Sequence, residues 1–277
     1  MNHEVLRYTA FSTDPQGGNP AGIVLDARGM LEAEMQAVAT EVGYSETAFL
    51  MPRDDGAFDV RYYSPLAEVS FCGHATIAAM VAHAQRHGPG MRRLHTRAGE
   101  VRVDVDDAGV ATLVSVAPRV VPLEEVDLEA LLVALRWKAG DLDDTLTPAI
   151  AYAGAWHPII PVRERERLAR LDYDFDALAA LMAQRGWTTV NLVWRETADV
   201  FHARNPFPPG GVIEDPATGA AAAALGAWLA HRNALSPQRR FVVRQGDDLG
   251  RPSRLDVTVP DDLSDGIRVS GTATRIG

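Results

Sequence analysis

The sequence predicts an α/β fold of the mixed α+β kind, built from two similar halves, and three observations predict it. Short apolar runs bounded by Gly, Pro, Asn and Asp recur from Tyr8 to Ser270, as strands do. Only a few helical stretches separate them. Two of those stretches are Ala-rich and open alike, one on Cys72-Gly73-His74-Ala75-Thr76 and the other on Pro216-Ala217-Thr218-Gly219-Ala220.

Residues 8–11 and 23–25 read as strands on either side of a cluster of turn formers, Asp14-Pro15-Gln16-Gly17-Gly18-Asn19-Pro20. Leu31, Met35, Val38, Ala39 and Val42 then share one helical face, which should pack on a sheet. Strand-like runs 47–51 and 58–63 enclose Pro52-Arg53-Asp54-Asp55-Gly56, a hairpin connection. The Pro-free stretch 73–84 is a helix stopped by Gly88-Pro89-Gly90. Strands follow at 92–96, 101–105 and 111–116.

A boundary near 118–122 gives halves 1–118 and 119–277, with the last C-terminal strand a candidate to return to the first half. In the second half helices are predicted at 128–137, 175–184 and 217–231. Strands are predicted at 149–152, 159–162, 189–194, 199–203, 241–244, 254–259 and 267–270. Between them Asn205-Pro206-Phe207-Pro208-Pro209-Gly210-Gly211 is too rich in Pro and Gly for regular structure. The two Ala-rich helix starts suggest duplicated halves, each aiming a helix N-terminus at a shared cleft.

Composition narrows the function. The 277 residues carry 27 Lys+Arg against 37 Asp+Glu, a net charge of −10, which disfavours nucleic acid because phosphate binding rests on basic side chains. Apolar residues make up 47%, enough for one large core or two compact ones. The single Cys72 cannot form an internal disulfide, and no Cys/His cluster has structural zinc spacing. Met1-Asn2-His3-Glu4 has no basic n-region, and no apolar run approaches the ~18 residues of a membrane span. A cytoplasmic soluble protein with neither nucleic-acid nor membrane partner is expected.

Four places could carry chemistry. Ser45-Glu46-Thr47 leads into the apolar run Ala48-Phe49-Leu50-Met51, where a carboxylate loses solvation, its pKa rises and it becomes a candidate general acid/base. The alternative is a surface Glu on an edge strand. At Cys72-Gly73-His74 a helix start supplies unpaired N–H groups for an anion and favours neutral imidazole; the alternative is a structural His. Asp215 precedes a second helix start and is either a helix cap or an acid. Cys72 is either a thiol base or a buried small hydrophobe, and its expected counterpart, Pro216, cannot exchange a proton. The Gly17-Gly18-Asn19-Pro20-Ala21-Gly22 turn lacks the dinucleotide fingerprint, and no cofactor is indicated.

Taken together, several stretches resemble the phenazine-biosynthesis isomerase (PhzF-like) family, which shares the diaminopimelate epimerase fold. They are Gly18-Asn19-Pro20-Ala21 with Val24-Leu25-Asp26, Ser45-Glu46-Thr47, Ser64-Pro65 through Gly73-His74-Ala75-Thr76, Glu214-Asp215-Pro216-Ala217-Thr218-Gly219, and Gln245-Gly246 with Gly250-Arg251-Pro252-Ser253. They keep their order from residue 18 to residue 253. The resemblance implies two pseudo-symmetric halves, each a mixed, mostly antiparallel sheet wrapped around a central helix, with the active site in the cleft and a homodimer as assembly. It implies cofactor-free, metal-free isomerisation of a small carboxylated substrate by proton transfer. The family's catalytic glutamate falls on Glu46, its Gly-His pair on Gly73 and His74, and its second acid on Asp215.

By the same resemblance Ser45, Cys72, Gly73, Thr218, Gly219 and Ala220 are expected to line the substrate. The namesake's substrate is trans-2,3-dihydro-3-hydroxyanthranilate, and Ala220 stands where the phenazine-making member carries a serine. The alternatives are an amino- or imino-acid epimerase or racemase of the same fold, and a non-catalytic small-molecule-binding dimer.

Overall fold

The computed structural model describes residues 3–277; Met1 and Asn2, part of the N-terminal segment read above, lie outside them. Among the described residues no helix is long and apolar enough to cross a membrane. Two compact units are present: Ser115–Val269 forms one, and the other ends at Val114 but also takes up Ser270–Gly277. The division precedes the expected 118/119 because Ala111–Val114 ladders onto Gly99–Val105, whereas Arg119–Pro122 ladders onto Ala149–Tyr152.

The first unit runs β1 (Leu6–Ala10), β2 (Asn19–Val24), α1 (Glu32–Val42), β3 (Glu46–Pro52), β4 (Phe58–Tyr63), β5 (Glu68–Val69), α2 (Gly73–His87), β6 (Gly90–Thr96), β7 (Gly99–Val105) and β8 (Ala111–Val114). The late strand Ala273–Arg275 pairs antiparallel with β1, which pairs antiparallel with β2; β2–β3 is parallel, β3–β4 antiparallel, β4–β6 parallel, and β6–β7–β8 antiparallel. This mixed sheet wraps α2, whose residues from His74 to Ala82 are all buried. A helix apolar on every side belongs in a core, and small Ala side chains let the strands approach closely. On the other face α1 contributes Met35 and Ala39 to a cluster with Val24, Phe49 and Tyr63. Leu31, placed on that face from its spacing, is instead 68% exposed at the N-cap, one residue before the helix begins.

The second unit runs β9 (Arg119–Pro122), α3 (Glu125–Leu135), β10 (Ala149–Tyr152), β11 (Trp156–Val162), α4 (Arg165–Ala169), α5 (Phe175–Arg185), β12 (Asn191–Thr197), β13 (Val200–Pro206), β14 (Glu214–Asp215), α6 (Gly219–His231), β15 (Arg240–Gln245) and β16 (Ser253–Thr258). Its pairings are β9–β10 and β10–β11 antiparallel, β11–β12 parallel, β12–β13 antiparallel, β13–β15 parallel and β15–β16 antiparallel. The succession of senses repeats that of the first unit from strand Ala273–Arg275 through β7, with no counterpart among the described residues to the β7–β8 pairing, and α6, buried from Ala221 to Leu229, takes the place of α2. The fold is a duplicated one.

Two local expectations are corrected. Asn205 and Pro206 are not loop but the end of β13, where they pair with Asp215 and Glu214. The helix expected from 217 begins at Gly219, so Pro216 lies outside it and Thr218 is the N-cap. Cys72, the N-cap of α2, therefore corresponds to Thr218 and not to Pro216.

Candidate active site

Glu46 is the first residue of β3, an interior strand flanked by β2 and β4, so the edge-strand alternative does not hold. Its backbone faces Ala21 across a parallel ladder. The next rung is Gly22 against Thr47, where a Cβ on Gly22 would stand 2.5 Å from Thr47 Oγ1. Only glycine lets the two strands approach here, and that fixes the depth of Glu46. Its side chain is 13% exposed. Burial lifts the Glu46 carboxyl above the ordinary carboxylate range, while hydrogen bonds from Ser45 and Cys72 pull it partly back.

His74 lies in the first turn of α2 and is 5% exposed. Asn19 Nδ2 donates to His74 Nδ1 at 3.0 Å. With Nδ1 accepting, Nε2 carries the ring proton; it stands 3.3 Å from Glu46 Oε2 and 3.3 Å from Ser45 Oγ. Cys72 Sγ lies 3.4 Å from His74 Nδ1 and 3.7 Å from Nε2. The thiol therefore sits among polar partners, not among apolar ones alone. The approach to the helix is held by Thr76, which donates through N (3.1 Å) and Oγ1 (2.6 Å) to the Cys72 carbonyl and contacts the buried Tyr62 hydroxyl at 2.6 Å.

Gly73 opens this helix. A Cβ built on it would stand in ordinary contact with Leu113 Cδ2 at 3.8 Å and Phe71 Cε1 at 4.0 Å, without a clash. The first turn of the helix carries the positive end of its dipole. In the first unit, then, Ser45, Glu46, Cys72, Gly73 and His74 converge, and Asn19 joins them. Asn19 appeared in the sequence within a turn cluster and a family stretch, with no role of its own; its place beside His74 needs the fold, which brings β2 against α2.

The remaining predicted residues lie in the second unit, where Asp215, Thr218, Gly219 and Ala220 gather at the start of α6. Thr218 Oγ1 donates to Asp215 Oδ2 at 2.6 Å and accepts from Gln245 Nε2 at 3.1 Å. Gln245 Nε2 also donates to the Asp215 carbonyl (2.7 Å), and its Oε1 accepts from Thr218 N (3.1 Å). Asp215 is thus not the cap of α6: its carboxylate receives a hydroxyl, and both it and Gln245 are buried. Gln245, the other residue missed in the sequence, reaches this cluster because Gly246 turns with φ +81°, its position packed against the Pro216 and Arg251 carbonyls. Glu214 is bound to Arg204 in a buried pair, Nη2 to Oε2 at 2.5 Å. That bridge anchors β14.

A family profile described as phenazine biosynthesis-like protein (PhzC-PhzF) matches residues 8–276. The chain is 34% identical to the uncharacterized isomerase YddE of Escherichia coli (strain K12), over 99% of this chain and 96% of the relative. It is 30% identical to the trans-2,3-dihydro-3-hydroxyanthranilate isomerase of Pseudomonas chlororaphis, over 92% of this chain and 89% of that one. The PhzF-family phenazine biosynthesis protein of Bacillus anthracis has the same architecture, with a TM-score of 0.88 at 27% identity, covering 100% of this chain and 98% of the other. A duplicated fold with a buried acid at one helix start and a second acid at the other, matched from end to end, makes this chain an isomerase of the phenazine-biosynthesis-like (PhzF) family.

Proposed function

We propose that this isomerase moves a proton on a small carboxylated substrate by general acid/base catalysis, without a cofactor, and that Glu46 is the base. The observation that carries the reading is a carboxyl raised by burial and held 3.3 Å from an imidazole at the start of a buried helix. A carboxylate with a raised pKa is a stronger base than an exposed one, and a positioned general base contributes about 10²–10⁴-fold.

In this mechanism the substrate carboxylate lies against the first-turn N–H groups beside Gly73, where dipole and donors both favour an anion. Glu46 takes the proton from the carbon next to the unsaturated or carbonyl-like centre. The Nε2–H of His74, held in its tautomer by Asn19, orients the Glu46 carboxylate and then supports its protonated form. Glu46 returns the proton elsewhere on the substrate; in the second unit Asp215, with its Thr218 hydroxyl, is kept as a second candidate acid. Ser45, Cys72, Thr218, Gly219 and Ala220 are read as lining. With Ala220 in place of a hydroxyl, and the Thr218 hydroxyl committed to Asp215, the substrate needs fewer donors than the namesake's. The proposal extends to a cytoplasmic homodimer, which cell fractionation and light scattering test.

The direct test is uptake of solvent deuterium into small unsaturated or hydroxylated carboxylic acids, with trans-2,3-dihydro-3-hydroxyanthranilate as the first. Exchange by the wild type that survives in Glu46→Gln removes Glu46 from the role. Exchange with none of the acids, at concentrations that shift the melting temperature, favours a binder over an enzyme.

A further inference from the structure

We infer that Glu46, Cys72 and His74 form a zinc-binding site, and that Zn²⁺ bound there switches the enzyme off. The inhibition rests on the acid/base reading above; the binding does not. One ligand atom from each of the three residues lies within 4.8 Å of the others. Around a tetrahedral zinc, with bonds of about 2.0–2.3 Å to N, O and S, neighbouring ligand atoms stand roughly 3.3–3.6 Å apart. Here His74 Nε2 is 3.3 Å from Glu46 Oε2 and 3.7 Å from Cys72 Sγ. Those two separations match a tetrahedral zinc to within a few tenths of an ångström.

The donor set is one thiolate, one imidazole and one carboxylate, the soft and borderline mixture that selects zinc over magnesium or calcium. Zn²⁺ is neutralised by the thiolate and carboxylate, the Cys72 proton leaves to solvent, and a water fills the fourth position. His74 must bind through Nε2 and so carry its proton on Nδ1. Asn19, which faces Nδ1 at 3.0 Å, supplies the partner by turning its amide so that Oδ1 accepts from the ring. Glu46 Oε2 is then committed to the metal and the carboxylate loses its basicity to the cation, while His74 has no Nε2 proton left for Glu46.

Such a ligand set is hidden in the sequence. Cys72 and His74 are two residues apart, at the N-cap and in the first turn of α2, and Glu46 joins them only through the β3–α2 contact. The second unit has no equivalent, since Thr218 and Ala220 replace Cys72 and His74.

The test uses the metal-free full chain. Zn²⁺ alone is titrated in competition with a chromophoric chelator, Co²⁺ is added to a second sample for its thiolate charge-transfer absorption, and substrate deuterium exchange is followed in a third. One zinc per chain is expected, with a cobalt–thiolate band that Cys72→Ser abolishes. Losing a ligand costs more than losing its hydrogen-bond support, so Cys72→Ser and Glu46→Gln should each weaken zinc binding by about 100-fold or more. Cys72→Ala, which keeps the packing of a small apolar group, gives the same answer if the serine variant misfolds. Exchange should stop at one equivalent of Zn²⁺ and return with chelator. Binding that ignores both Cys72 variants, or exchange that rises with Zn²⁺, overturns the inference. Stoichiometric binding by a protein that exchanges no acid leaves the zinc site standing and sinks the acid/base reading instead.

Discussion

Thr189 stands in the second unit where Glu46 stands in the first. Each is the third residue after a left-handed glycine that ends a helix, Gly43 at φ 71° and Gly186 at φ 68°. Each comes three residues before the strand position that faces an arginine, Phe49 opposite Arg61 and Leu192 opposite Arg204. Conversely Asp215, opposite Asn205, corresponds to Val69, opposite Tyr62. The duplicated units have therefore kept one frame and placed their acids at different points of it. The Thr189 hydroxyl is engaged structurally, with His157 Nδ1 at 2.8 Å and Asn205 Oδ1 at 2.8 Å.

Because burial raises the Glu46 pKa, the acid limb of kcat/KM should lie above the usual carboxylate value of about 4.3, with activity rising as Glu46 ionises. The stability sign is opposite. A carboxyl with a raised folded-state pKa favours folding at low pH, and that contribution is lost as pH rises through the folded value. Glu46→Gln should abolish exchange while raising the melting temperature at neutral pH, and the stability difference should vanish at a pH where both side chains are neutral. Thermal melts across pH check it; equal stability at every pH would count against a buried carboxylate.

Gly73→Ala separates binding from folding. The added Cβ has room, with its nearest neighbour at 3.8 Å, so stability should hold or improve slightly. If a substrate carboxylate occupies the space before the first-turn N–H groups, the methyl displaces it. KM should then rise by about tenfold, the loss of roughly one charge-assisted hydrogen bond. A large drop in melting temperature would show that the glycine serves the backbone instead.

The same Arg–Glu bridge occurs twice at different depths. Arg204 and Glu214 have side chains only 10% and 1% exposed, against 19% and 12% for Arg61 and Glu68. Arg204→Ala leaves a buried carboxylate alone and should cost about 3–5 kcal/mol in urea unfolding. Arg61→Ala should cost less, because water and Arg97, 2.7 Å from Glu68, remain to solvate the acid.

His157 supplies an acid-sensitive element. Fully buried, its pKa falls from 6.5 to about 4, so the unfolded chain binds a proton that the folded one refuses. The stability it permits above pH 6.5 is lost progressively as pH falls to about 4. Urea midpoints should decline over that window, and His157→Gln should flatten the decline.

Much of the fold was legible because alternation and turn chemistry are local. The strands 58–63 and 149–152 match the structure residue for residue. What escaped was weakly patterned: β9 is exposed at three of its four positions, α4 has five residues, and Ala273–Arg275 has three. The start of α6 was misplaced because Ala217 favours helix while the chain around it is held extended by β14 and Gln245. In the site, the pattern around Glu46 and His74 could be read from the desolvating run after one and the helix start at the other. Their 3.3 Å contact, and the parts played by Asn19 and Gln245, depend on strand pairings that no local signal encodes.

The final strand gives the chain an unusual order of completion. Ala273–Arg275 closes the edge of β1, yet all of Ser115–Val269 is strung between that strand and the rest of its sheet. The second unit is in effect inserted into the first, and joining the ends of so long an insert costs only slightly more than joining a short one. One cut between Val114 and Ser115 would leave the first unit's β1 still tethered to its closing strand only through that sheet's hydrogen bonds. Separating the units as free-standing pieces would require a second cut near Ser270, after which the small terminal fragment would have to find its place as a peptide.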